Sequence, residues 1–140
     1  MARYLSIGSD PYVFQVVSDQ TNEVIVPVMF DAAPEAALTT AAPAVSVDCY
    51  FTELDATAQG VAATLADGNV HGQLKKVQAS VVSGGAVTLT IASPVSASLD
   101  VVTFTVIGDS VTLIWSETGG YWQVIELNDA DADVDTPTIA

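Results

Sequence analysis

The sequence predicts an all-β protein: an antiparallel sandwich, jelly-roll-like body or small barrel, preceded by an extended N-terminal strand arm. Three observations carry this. Val87, Leu89 and Ile91 alternate with Ala86, Thr88, Thr90 and Ala92, and Val111, Leu113 and Trp115 alternate with Thr112, Ile114 and Ser116. A side-chain period of two gives each segment one face for a core and one for water. Gly84-Gly85, Gly108-Asp109 and Gly119-Gly120 punctuate the segments at points where glycine tolerates the backbone of a tight reversal. No stretch of a dozen or more residues carries the 3.6-residue periodicity of an amphipathic helix.

Residues 1–44 divide into an arm and a loop. In residues 1–31, VFQVV and EVIVPVMF favour strand, and Asp19-Gln20-Thr21-Asn22 supplies the polar reversal between them. Pro27 lacks an amide donor and predicts an edge or bulged strand. Residues 32–44, AAPEAALTTAAPA, are bracketed by Pro34 and Pro43, too closely for an independent helix, and predict a surface loop with one helical turn.

The body spans 45–127, with strands expected at about 45–53, 60–66, 72–82, 86–92, 101–107, 110–116 and 121–127. Short connections between successive strands predict antiparallel pairing. Residues 128–140, NDADADVDTPTIA, form an acidic tail short of large side chains, expected to be mobile or docked on a neighbouring molecule.

Composition narrows the function. Seventeen acidic residues face three basic ones, Arg3, Lys75 and Lys76, for a net charge of −14. Phosphate backbones need clustered Lys and Arg, so nucleic acid is excluded as a partner, and an anionic membrane surface would repel the chain. No apolar run approaches the roughly 18–20 residues that cross a bilayer, and MARYLSIGSDPYV lacks the form of a signal peptide, so synthesis in a cytoplasm is expected. Cys49, the single cysteine, lies in the apolar run VSVDCYFTEL and reads as a buried structural thiol.

Catalytic and metal chemistry find little support. His71 is the only histidine, which leaves no dedicated zinc site, and GDSVT lacks the second glycine of a nucleophile elbow. Glu117 and Glu126 flank the last hairpin, yet among seventeen acids some pair of carboxylates is inevitable. Asp129, Asp131, Asp133 and Asp135 alternate, but a calcium-loop count from Asp129 puts Val134 at the turn-glycine position and Ala140 at the bidentate-glutamate position. No metal, cofactor or enzymatic activity is expected. Trp115 falls in phase with Val111 and Leu113, Trp122 with Val124 and Tyr121 with Ile125. Val111, Leu113, Trp115, Tyr121 and Trp122 are therefore assigned to the core or a subunit interface rather than to sugar stacking.

These residues also carry a resemblance. The succession LADG-x-x-x-GQLKKV, GGAVTLTIA, VTFTVIGDSVTLIW and GGYWQVIEL is similar to a module of tailed-bacteriophage virion proteins, among them head-decoration (cement) proteins, head fibres and tail-fibre-associated proteins, cyanophage examples included. It covers about residues 57–127, with Asp67-Gly68, Gly72-Gln73, Gly108-Asp109-Ser110, Leu113-Ile114-Trp115 and Tyr121-Trp122 as its signature elements. The resemblance implies a non-enzymatic virion component on the outer capsid surface. The short, repeat-free chain favours a homotrimeric decoration protein that clamps major capsid subunits, over a fibre module binding a host glycan or receptor. In that reading the body forms the trimer. The arm docks on the major capsid protein through Val13, Val16, Ile25, Val28 and Phe30.

Overall fold

A computed structural model describes residues 35–130, the strand backbones at 5–7, 13–17 and 24–29, and the strand at 138–139. The chain divides into two compact units, Met1–Pro34 and Glu35–Ala140.

The first unit holds β1 (Leu5–Ile7), β2 (Val13–Val17) and β3 (Val24–Met29), an antiparallel sheet in that order. Pro27 stands on β3, an outer strand of this sheet, where a missing donor is tolerated. Register aligns Leu5, Val16 and Val26 in one cross-strand row and Ile7, Phe14 and Val28 in another. Both rows fall on one face of the sheet, and all six positions are apolar.

The second unit contains β4 (Ala44–Val45), β5 (Phe51–Asp55), β6 (Val61–Leu65), β7 (Leu74–Val81), β8 (Val87–Ile91), β9 (Val101–Phe104), β10 (Ser110–Ser116), β11 (Tyr121–Asn128) and β12 (Thr138–Ile139). They build two sheets, β11-β10-β7-β5 and β12-β9-β8-β6-β4. Alternation decides what each strand buries: Val61, Ala63 and Leu65 on β6, Val87, Leu89 and Ile91 on β8, and Leu113 and Trp115 on β10 all face inward. These side chains join Leu54, Val77, Val102, Phe104 and Trp122 in a single core cluster drawn from both sheets. The body is therefore all-β and sandwich-like, as expected, and neither sheet closes into a barrel.

Four expectations need correction. Pairing is antiparallel for β8–β9, β9–β12, β7–β10 and β10–β11, but parallel for β4–β6, β5–β7 and β6–β8. From β4 to β8 each connection crosses from one sheet to the other. Sheet neighbours are thus two strands apart in sequence and, after two reversals, run the same way. The single strand expected at 45–53 is two strands in different sheets, separated by residues 46–50. Residues 35–43 contain no helical turn. Instead, Leu38 forms a parallel bridge to Leu54, with Leu38 N donating to Glu53 O (2.9 Å) and Asp55 N to Leu38 O (3.0 Å). Finally, Thr138–Ile139 pairs with Val102 and Thr103 of β9, so the end of the tail docks on its own body.

Close approach explains two glycines. A Cβ on Gly84 would lie 2.3 Å from Ala56 O and 2.7 Å from Gln59 N, both backbone atoms. One on Gly68 would lie 2.4 Å from Trp115 Cγ, so the loop after β6 rests directly on the indole.

Candidate assembly surface and a buried lysine centre

Of the residues assigned to core or interface, Val111, Leu113, Trp115 and Trp122 are buried within the single chain, while Tyr121 is half-buried. The two indoles pack at 5.3 Å between ring centroids, tilted by 59°. Trp122 Nε1 donates to Ala66 O (2.8 Å), whereas Trp115 Nε1 is buried without a partner among the described residues. Four of these five side chains are thus taken up by the core of the single chain. In the first unit, Val16 and Val28 share a face and Val13 lies on the opposite one. Ile25 is the extra residue where the β2–β3 register shifts, and Phe30 lies outside the described residues.

The outward face of the four-stranded sheet carries exposed apolar side chains. Register sets Phe51, Lys76, Thr112 and Glu126 in one cross-strand row, and Leu74, Ile114 and Gln123 in the next. Leu74 is 43% exposed and Phe51 37%, with Ile114 half-buried between strands. Ile125, 53% exposed, is the extra residue where β11 bulges against β10. A chain this acidic thus carries an apolar strip whose charged members are Lys76 and Glu126. Thr112 Oγ1 donates to Glu126 Oε2 (3.2 Å) within the strip.

Behind that face lies a charged centre built around Lys75. Lys75 is fully buried, its position on β7 in phase with core residues Val77 and Ala79. Its ammonium donates to Ser46 O (2.7 Å), Cys49 O (2.8 Å) and Thr52 Oγ1 (2.6 Å), and lies 3.9 Å from Glu35 Oε2. The Glu35 carboxylate in turn accepts from Ser46 N (3.0 Å) and from the Thr52 hydroxyl. A buried charge survives only when it is paired and hydrogen-bonded. Residues 46–50, which interrupt the expected strand, turn carbonyls toward the ammonium. Here the need to solvate one internal cation overrides strand propensity. Cys49, buried as expected, contributes its carbonyl to this cage.

Histidine and carboxylates form no reaction centre among the described residues. His71 is exposed and accepts from Glu117 N through Nδ1 (3.3 Å), tying the loop after β6 to the β10–β11 turn. Among the described residues no three metal-ligating side chains converge; Asp131, Asp133 and Asp135 lie outside them. No protein-family model matches the chain, and no curated protein matches it.

Proposed function

We propose that this chain is a non-enzymatic virion protein of a tailed phage. In this reading it is a capsid decoration protein that assembles as a homotrimer on the outer surface of the head and clamps major capsid subunits. The observation that carries the assembly part is the apolar strip of Phe51, Leu74, Ile114 and Ile125 on the outward sheet face. Exposed apolar clusters on an otherwise acidic surface mark contact sites, and this one faces away from the filled core. The resemblance of residues 57–127 to phage head and fibre modules supports the virion setting.

The first unit supports a role in docking. Its six apolar positions on one face, Leu5, Ile7, Phe14, Val16, Val26 and Val28, fill two cross-strand rows. Its outer strands also offer backbone groups for strand addition to a neighbouring sheet. Light scattering tests the assembly reading. The purified protein is expected at three times the 14.5 kDa chain mass, and Leu74→Glu is expected as a folded monomer. A wild-type monomer at micromolar concentration defeats the trimer.

A further inference from the structure

We infer that Lys75 and Glu35 form a latch that locks residues 35–45 across one side of the sandwich as a strap closing both sheets. The segment begins at the boundary between the two units. Leu38 bridges the β5 edge of the four-stranded sheet, while β4, at Ala44–Val45, pairs with the β6 edge of the five-stranded sheet. Between these anchors, Ala62 N donates to Ala41 O (2.8 Å), Thr64 N to Pro43 O (3.0 Å) and Gln59 Nε2 to Thr39 O (3.2 Å). One short stretch of chain therefore covers an edge of each sheet, edges that would otherwise offer unpaired backbone to another strand.

What holds the strap is the centre at its two ends. Glu35 opens it, and Ser46 follows it directly. Ser46 N binds the Glu35 carboxylate and Ser46 O binds the Lys75 ammonium. The interior cation thus ties the two ends of the strap to each other and to β7. Cys49 O and Thr52 Oγ1 complete an arrangement of three oxygens at 2.6–2.8 Å around the nitrogen, one for each of its N–H donors. Pro43 and Val45 are buried and anchor the C-terminal end of the strap, whereas Leu38 is only partly buried and residues 39–42 are exposed, so little apolar burial would retain the stretch from Glu35 to residue 42 once the charge is removed. The latch gives the fold a releasable β5 edge. Its existence does not depend on the assembly reading above.

Site-resolved hydrogen exchange on the full chain tests it. In Lys75→Ala and Glu35→Gln, the amides of Leu38, Ser46 and Asp55 are expected to exchange at least tenfold faster, relative to the change at Leu89 on β8, two strands from the strap's own β4. In Lys75→Ala, n-propylammonium chloride, which restores the missing side-chain atoms, is expected to recover at least threefold of the lost protection beyond an equal concentration of sodium chloride. If Lys75→Ala fails to fold, Glu35→Gln carries the exchange test alone. Equal acceleration at Leu89 and at the strap in the folded variants, no acceleration at the strap, or a propylammonium effect matching that of sodium chloride overturns the latch.

Discussion

Asp109 is the residue whose loss should be most costly for its size. The side chain is fully buried at the start of β10, and its Oδ2 accepts from Thr105 N (2.8 Å), Val106 N (3.1 Å) and Thr105 Oγ1 (3.2 Å). Its Oδ1 accepts from Ala130 N (3.2 Å), so one carboxylate organises the β9–β10 turn and the start of the tail. Hydrogen bonds to a charged group contribute about 1.5–3 kcal/mol each, but Thr105 and Ala130 are exposed and water replaces the acceptor there. Val106 is half-buried and bears most of the loss. The turn keeps its backbone bonds Gly108 N to Ala79 O (2.8 Å) and Ala79 N to Asp109 O (2.9 Å). Asp109→Ala is therefore expected to cost about 3 kcal/mol rather than the sum of all four bonds. With a urea m-value of roughly 1.5 kcal/mol/M, the unfolding midpoint should fall by about 2 M. Asp109→Asn, which keeps a carbonyl acceptor, should lose about half as much. An alanine variant whose midpoint stays within about 0.3 M of wild type would refute the claim that the carboxylate organises this turn.

Trp115→Ala should lose about 3–5 kcal/mol, because the indole fills the core between Trp122 and the Gly68 loop; thermal melts report it. Gly84→Ala should cost about 2–3 kcal/mol, since its Cβ would meet backbone atoms of residues 56–59. Gly72→Ala, at φ 80° with nothing within 4 Å, should cost only about 1–2 kcal/mol of left-handed strain, and paired urea titrations rank the two. Leu74→Glu and Ile125→Lys should leave circular dichroism unchanged while reducing the mass seen by light scattering to one chain.

Much of the fold was legible because alternation is local. Leu89 and Ile91, or Leu113 and Trp115, announce their burial in a window of a few residues, and the glycine pairs announce that the chain turns. A turn signal does not say which sheet the next strand joins. The crossing of β4 through β8 between sheets, and hence the parallel pairs, is set by packing between distant segments. Thr138 pairs with Thr103 and Ile139 with Val102, 35 and 37 positions away, and no local pattern links them. The lysine centre had a partial signal. Lys75 keeps phase with Val77 and Ala79 while Lys76 keeps phase with Leu74 and Gln78, so one of the two lysines had to occupy a core position. A net-charge count, which treats the two lysines alike, does not show which. The partner Glu35, forty residues away in an Ala-rich loop, had no signal in the sequence.

Cryo-electron microscopy, at side-chain detail, of virus particles proposed to carry the chain tests the central claim most directly. The account expects trimers of this fold outside the capsid shell in hundreds of copies, with the four-stranded sheet at the subunit contact and the N-terminal sheet on the major capsid protein. Particles whose heads lack this chain, or which carry it only in tens of copies at the tail, would contradict it.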